Sequence, residues 1–176
     1  MRVSVEKIYV FIDSQNLNLS VQNDVVNRKG KIIYIGWKLD FQQFYIYLRD
    51  KLKVDKVFLF IGRVAGNEGL YKFLEGVGYQ VIYKPTIDYS EGKDKFTKGN
   101  VDAELVLCAM KEFPYYSKAI IVSGDGDYHC LIEYLEQQNK LFHIIVPNRH
   151  KYSSLLRKFF PFMIFVTDLK AKLEKK

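Results

Sequence analysis

Cysteine is scarce in this sequence, with only Cys108 and Cys130 among its 176 residues. Both lie in segments of helical periodicity, and neither belongs to a Cys/His pattern with the spacing of a zinc site. Two cysteines placed in this way do not form the disulfide framework that stabilises many small secreted domains. We therefore predict a cytoplasmic protein without a structural zinc site.

The sequence also lacks a long hydrophobic run. The first apolar run, residues 7–12, ends at Asp13 and is too short for the core of a signal peptide with its cleavage site. The last one, residues 159–166, contains Pro161 and is too short to span a bilayer. These runs predict neither export nor a membrane partner.

Acidic residues are outnumbered, with 20 Asp and Glu against 27 Lys and Arg, which gives a net charge of +7. A positive charge favours a polyanionic partner such as nucleic acid. Hydrophobic residues are abundant at 48%, and aromatic residues make up 15%, so a disordered chain is excluded. The length suits a single domain, residues 1–176, with a sizeable core.

Apolar runs of strand length alternate with segments of helical period along the chain. The predicted strands are 8–12, 56–61, 79–83, 119–122, 141–146 and 162–166. The predicted helices begin near residues 17 and 168 or span 40–53, 68–77, 100–113, 128–138 and 153–159. This alternation predicts an α/β three-layer sandwich with a mainly parallel, doubly wound sheet. Residues 85–99 are polar and without period, which predicts a flexible loop.

The strand at 119–122 ends in an unusual turn, Ser-Gly-Asp-Gly-Asp, which contains Asp125 and Asp127. Open α/β sheets bind their ligands at the carboxyl ends of strands, which is where this turn lies. Two carboxylates so close in sequence repel each other unless a cation or a shared proton relieves the repulsion. The turn therefore predicts a divalent metal site.

Two further acids are expected at the same edge of the sheet. Asp13 ends the first strand, and Asp102 lies in the first turn of the helix after the predicted loop. The first strand and the 119–122 strand are neighbours in a doubly wound sheet, so their acids can converge. Oxygen ligands suit Mg²⁺ or Mn²⁺ better than zinc, and such ions support hydrolysis of a phosphodiester bond.

Each acid also has a purely structural interpretation. Asp13 and Asp127 can cap the helices that follow them, and Asp102 can favour the dipole of its own helix. Asp125 has no comparable structural role, because it lies two residues before the expected cap. The joint placement of all four acids favours the functional interpretation.

Three segments in this order carry a family resemblance: Phe-Ile-Asp-Ser-Gln-Asn-Leu at 11–17, Lys-Gly-Asn-Val-Asp at 98–102 and Val-Ser-Gly-Asp-Gly-Asp-Tyr at 122–128. They resemble the NYN domain family, which belongs with its LabA-like members to the PIN-like nuclease superfamily. The resemblance extends over residues 9–166. It implies a PIN-like α/β sandwich whose acids bind Mg²⁺ or Mn²⁺ and cleave RNA.

The resemblance also implies roles for individual residues. The family's catalytic and metal-binding acids match Asp13, Asp102, Asp125 and Asp127. Its motif asparagine matches Asn16, which would orient Asp13 or contact the scissile phosphate. Many members carry a further aspartate where this chain has Cys108, and its loss would weaken metal binding or inactivate the site.

Six residues are predicted to contact the substrate: Lys98, Ser123, Tyr128, Arg149, Lys151 and Ser153. Backbone N–H groups at a helix start near Ser153, beside Arg149 and Lys151, suit an RNA phosphate. Tyr128 suits stacking on an unpaired base, as in the binding of single-stranded RNA. The structural alternatives are a solvated Lys98 and a basic surface loop in which Ser153 is an ordinary N-cap.

Three functions follow, of which a metal-dependent endoribonuclease acting on single-stranded RNA is the leading hypothesis. The alternative is an RNA-binding or regulatory domain with little or no cleavage, which Cys108 favours. A phosphatase of the haloacid dehalogenase type is less favoured, because the second aspartate of its motif is replaced by Gln15. The sequence leaves a homodimer open.

Overall fold

The computed structural model describes the backbone of residues 6–85, 87–91, 94–98 and 101–176, and the side chains of 6–84 and 101–176. The side chain of Lys98, a predicted substrate contact, lies outside the described residues. No helix in the described part of the chain is long and apolar enough to cross a bilayer.

Strands and helices alternate along the chain. The strands are β1 Ile8–Asp13, β2 Val25–Val26, β3 Ile32–Tyr34, β4 Lys56–Arg63, β5 Gln80–Pro85, β6 Ile87–Glu91, β7 Asp94–Lys98, β8 Lys118–Val122, β9 Leu141–Val146 and β10 Met163–Phe165. The α-helices are α1 Ser14–Gln22, α2 Phe41–Leu52, α3 Glu68–Val77, α4 Asp102–Glu112, α5 His129–Gln137 and α6 Lys170–Leu173. Short 3₁₀ segments cover Gly126–Tyr128, Ser154–Phe162 and Val166–Leu169.

Six strands form the central sheet in the order β10-β9-β8-β1-β4-β5, and every pair in it is parallel. The chain builds one half outward from β1 through β4 and β5, and the other half through β8, β9 and β10. The strand order therefore reverses between β1 and β8, which places the turns after these two strands at the ligand-binding edge of the sheet. The predicted three-layer, doubly wound sandwich is confirmed.

The sheet is buried on both faces, which explains its continuous apolar strands. On one face Phe11 packs with Leu105 of α4 and Leu131 of α5. On the other face the neighbouring residue Ile12 packs with side chains of α1, α2, α3 and α6, including Leu17. β1 thus carries Asp13 at the end of a fully buried strand, so the position of that carboxyl is fixed by core packing on both sides.

The predicted loop at 85–99 is wrong. β6 and β7 pair there as an antiparallel ribbon, with Ile87 opposite Lys98 and Tyr89 opposite Phe96. The ribbon is separate from the central sheet. Its sequence is polar and has no apolar run of strand length, so the sequence contained no strand signal.

Helix ends agree with local capping chemistry. The Oδ1 atom of Asp40 accepts hydrogen bonds from the N–H groups of Gln42 and Gln43 at 2.9 and 3.1 Å, as predicted for the N-cap of α2. α3 ends at Gly78, whose φ of 123° suits glycine. α1 begins at Ser14, earlier than predicted, because the side chain of Asp13 already caps it.

Candidate metal centre and active site

Three aspartates converge beside the carboxyl edge of the sheet. Asp102 is the first residue of α4, and Asp125 and Asp127 lie in the turn after β8. One carboxylate oxygen from each lies within 4.8 Å of the others, and we call these three residues the acid cluster. The charges of Asp125 and Asp102 raise the pKa of Asp127 above its usual value. A divalent cation would relieve this repulsion, and an all-oxygen donor set suits a hard cation.

The turn that carries two of the acids is held by its own side chains. The Oγ atom of Ser123 accepts a hydrogen bond from the N–H of Asp125, and the Oδ1 atom of Asp125 accepts one from the N–H of Asp127, each at 3.1 Å. Asp125 therefore caps the 3₁₀ segment, and the expectation that it has no structural role is wrong. Ser123 is only 1% exposed, so the prediction that it contacts substrate is also wrong.

Asp13 lies behind the acid cluster and is not one of its members. It is 6% exposed, and its Oδ1 atom caps α1 by accepting a hydrogen bond from the N–H of Asn16 at 2.9 Å. Burial raises the pKa of Asp13, the hydrogen bond from the N–H of Asn16 opposes the rise, and the charges of Asp102 and Asp125 add to it. The structural interpretation of Asp13 as a cap therefore holds, although the acid also borders the site.

The hydroxyl of Tyr128 lies between two of the acids. Its oxygen is 2.6 Å from Oδ1 of Asp102, to which it donates, and 3.2 Å from Oδ2 of Asp13. Burial, with the two nearby carboxylates, raises the pKa of this phenol far above its usual value. The residue is 0% exposed, so the prediction that Tyr128 stacks on a base is wrong. Sequence reasoning recognised the residue but missed its place between the acids.

Asn16 joins the start of α1 to the turn after β8. Its side-chain Oδ1 atom accepts a hydrogen bond from the N–H of Gly124 at 2.8 Å, while its backbone N–H contacts Asp13. The residue thus orients Asp13 through the backbone rather than through the side chain. A Cβ atom at Gly124 would lie 3.2 Å from Cβ of Tyr152, so the turn packs closely against the loop that follows β9.

The loop at 147–153 is attached to the same turn. The N–H of Ser153 donates to the carbonyl oxygen of Gly124 at 2.9 Å, and the Oγ atom of Ser153 accepts from the N–H of Leu155 at 3.3 Å. Among the backbone N–H groups predicted to bind a phosphate around Ser153, that of Ser153 itself is not available, because it is bonded to Gly124. The alternative interpretation of Ser153 as an ordinary N-cap holds.

The two basic residues of this loop differ in their surroundings. The guanidinium of Arg149 forms a two-pronged ion pair with the carboxylate of Asp168 and lies 4.1 Å from the centre of the Phe165 ring. A phosphate would have to displace Asp168 from this fork. The side chain of Lys151 is exposed and lies next to Tyr152, which packs against Gly124.

A buried asparagine in this loop escaped the sequence analysis. Asn148 is 0% exposed, and its Nδ2 atom donates to the carbonyl oxygen of Ser20 at 2.8 Å. Its Oδ1 atom accepts from the N–H of His150 at 2.9 Å. The side chain thereby ties the basic loop to α1. Only its position two residues after the buried end of β9 could have indicated this role.

Cys108 lies along α4 away from the acid cluster. Six residues of helix separate it from Asp102, which corresponds to about 9 Å along the axis. Its thiol packs against the core, and burial, with the nearby charge of Glu112, raises its pKa to about 11. Cys108 is therefore separated from Asp102 along the helix and packs against the core.

A family model of the NYN domain matches residues 7–165, which is nearly the whole chain. The chain belongs to the NYN domain family. The predicted NYN and LabA-like relationship is confirmed, and with it membership of a family of PIN-like nucleases.

Two comparisons extend this assignment of the NYN domain. The Low amplitude and bright protein LabA of Synechococcus elongatus is 25% identical over 147 residues, which cover 80% of this chain and 72% of LabA. A crystal structure of a protein of unknown function from Vibrio parahaemolyticus superposes with a TM-score of 0.71 at 24% identity. That match covers 98% of this chain and 99% of the other and shows the shared fold.

Proposed function

We propose that this NYN domain is a metal-dependent endoribonuclease that hydrolyses phosphodiester bonds of single-stranded RNA. The observation that supports it most strongly is the acid cluster. Asp102 comes from one segment, and Asp125 and Asp127 come from another, yet all three place carboxylate oxygens within 4.8 Å of one another. NYN domains are typically metal-dependent, and three carboxylates that lie this close repel one another unless a cation relieves the repulsion.

In this proposal the acid cluster holds Mg²⁺ or Mn²⁺. When bound, such an ion activates a water molecule and stabilises the charge that develops on the phosphodiester. Asp127 is exposed and Asp102 and Asp125 are partly exposed, so the cluster is open to a polymeric substrate. Asp13 and Asn16 support the acid cluster from behind: Asp13 is buried, and the Asn16 side chain is bonded to the backbone of the turn that carries Asp125.

Substrate binding in this proposal relies on positive charge near the cluster. The net charge of +7 favours the approach of RNA, and the exposed Lys151 lies on the loop that packs against Gly124.

A phosphatase of the haloacid dehalogenase type is not supported, because it would need Asp13 as an exposed nucleophile. Asp13 is 6% exposed, and its Oδ1 atom already accepts the N–H of Asn16.

The test compares cleavage of an end-labelled single-stranded RNA by the wild type and by Asp125→Asn, in Mg²⁺, in Mn²⁺ and in EDTA. An asparagine at 125 keeps an oxygen for the N–H of Asp127, so the turn stays capped. We expect metal-dependent cleavage that falls at least 100-fold in Asp125→Asn. The matched control is Asp50→Asn, which changes an exposed aspartate on α2, and it should remain within twofold of the wild type.

Three results would contradict the proposal. Cleavage that persists in EDTA, or that is equal in Asp125→Asn, would show that the acid cluster is not the catalytic centre. Binding of RNA without cleavage by the wild type would support the alternative of an RNA-binding domain.

A further inference from the structure

The acid cluster has a fixed contact with the interior of the protein through Tyr128. The ring of Tyr128 is 0% exposed and belongs to the same core as Phe11 and Leu105. Its hydroxyl is therefore held in place by packing on every side. The cluster member that this hydroxyl contacts is Asp102, at 2.6 Å.

The three members of the acid cluster are held by different parts of the chain. Asp125 and Asp127 lie in one turn, where the side chain of Ser123 and the cap of Asp125 fix the backbone. Asp102 begins α4, and the residue before it, Val101, has an apolar side chain that cannot cap a helix. The start of α4 is therefore joined to the turn after β8 through Tyr128, which lies at the end of that turn.

The hydroxyl has one proton to donate. The contact with Asp102 is the shorter of its two, and a short O–H···O⁻ hydrogen bond is the stronger kind. Asp13, at 3.2 Å, already accepts the N–H of Asn16 through its other oxygen. Proton donation to Asp102 thus holds this carboxylate at a fixed place beside the buried ring of Tyr128.

We propose that Tyr128 is a positioning residue of the metal site. Its hydroxyl donates to Asp102 and holds that carboxylate where it can share an ion with Asp125 and Asp127. The inference rests on the proposed metal centre, and it assigns to a buried tyrosine the task of setting metal affinity.

The experiment measures Mn²⁺ affinity of Tyr128→Phe by calorimetry without RNA, together with kcat and KM for single-stranded RNA. Phenylalanine keeps the ring in the core and removes only the hydroxyl. The matched control is Tyr116→Phe, because Tyr116 is 2% exposed, lies in the same core and donates to the carbonyl oxygen of Ala109 on α4 at 3.0 Å. Each variant loses one buried hydroxyl that is bonded to α4.

We expect both variants to lose similar thermal stability and only Tyr128→Phe to bind Mn²⁺ at least tenfold more weakly. Its kcat at a fixed, subsaturating Mn²⁺ concentration should fall by a similar factor while KM for RNA stays within twofold. A tenfold higher Mn²⁺ concentration should restore kcat. A purely structural role would instead lower stability without this rescue.

Mn²⁺ affinity of Tyr128→Phe within twofold of the wild type would overturn the inference. If the wild type binds Mn²⁺ but does not cleave RNA, the nuclease proposal fails. The ratio of the Mn²⁺ affinities of the wild type and Tyr128→Phe still decides the role of Tyr128. If the wild type binds no Mn²⁺, both proposals fail. Should Tyr128→Phe not fold, a crystal structure of the wild type with Mn²⁺ decides: loss of the Tyr128–Asp102 hydrogen bond around the bound ion would contradict the inference.

Discussion

The side-chain oxygen of Asn16 accepts a hydrogen bond from the backbone N–H of Gly124 at 2.8 Å, although 108 residues separate the two in sequence. The bond joins the start of α1, which follows Asp13, to the turn that contains Asp125. Asn16 also donates its own N–H to Asp13. Asn16 therefore links the segments that follow β1 and β8, the two strands between which the strand order reverses.

Removal of this link should destabilise the protein. In Asn16→Ala the buried N–H of Gly124 loses its acceptor, which costs about 1–3 kcal/mol in the free energy of unfolding. Urea denaturation measures this loss. The control is Asn18→Ala on the same helix, because the Asn18 side chain donates a long, exposed hydrogen bond of 3.4 Å to Gln22 and its loss should cost far less. Equal losses in the two variants would show that the Asn16–Gly124 bond contributes nothing specific.

Neutralisation of Asp127 should have opposite effects on the metal-free and the metal-bound protein. Because Asp125 and Asp102 raise the folded-state pKa of Asp127, its ionisation costs stability, and the loss develops as pH rises above the unfolded pKa near 3.9. Asp127→Asn should therefore raise the melting temperature of the metal-free protein at pH 7, and this gain should disappear below about pH 4.

The same variant tests the metal site. At 100 times its dissociation constant, a bound ion adds about 2.7 kcal/mol to the stability of the wild type. Melting curves with and without Mg²⁺ or Mn²⁺ should show this gain in the wild type and a much smaller one in Asp127→Asn. An undiminished metal-dependent gain in the variant would exclude Asp127 as a ligand.

The family's aspartate should not improve the site when it is restored at position 108. The thiol of Cys108 has a pKa of about 11 because of burial and the nearby charge of Glu112, and the same surroundings would penalise a carboxylate. Cys108→Asp should therefore lower stability at pH 7 and leave Mn²⁺ affinity within twofold of the wild type. Cys108→Asn introduces a neutral side chain of the same size as aspartate, so its comparison with Cys108→Asp separates the effect of the charge from that of the size. A rise in Mn²⁺ affinity in Cys108→Asp alone would mean that this position does reach the ion.

Lys151 should contribute to RNA binding without affecting the metal. Loss of one phosphate contact lowers the slope of log affinity against log salt concentration by about 0.7 for a single strand. Fluorescence anisotropy with labelled single-stranded RNA should show this decrease in Lys151→Ala. Lys72→Ala, which removes an exposed lysine on α3, should keep the wild-type slope. Identical slopes in all three proteins would place the RNA elsewhere.

Local sequence signals predicted most of the fold. Apolar runs marked the six strands of the central sheet because a strand buried on both faces has few polar residues. Asp40 and Gly78 marked helix ends because capping is a local interaction between a side chain or a permissive backbone and its own helix. The ribbon of β6 and β7 was missed because its sequence is polar and contains no apolar run of strand length.

The candidate site was predicted less completely. Asp13, Asp102, Asp125 and Asp127 were expected to meet, because the strands before Asp13 and Asp125 are neighbours whose carboxyl ends lie at one edge of the sheet. Three of them, Asp102, Asp125 and Asp127, form the acid cluster, and Asp13 is not a member. The sequence did not reveal that Ser123 and Tyr128 would be buried, or that Ser153 would use its N–H to bind the turn. Those outcomes depend on packing between segments that are far apart along the chain.

The sequence by itself determined where the six strands of the central sheet lie, that they are parallel, and which acids follow them, because these features depend on short-range pattern and chain connectivity. Only the tertiary structure decided that Asp13 stands behind the acid cluster and that Tyr128 lies between Asp13 and Asp102. The physical reason is that the direction of each side chain follows from how closely neighbouring strands and helices pack, and no local pattern carries that information.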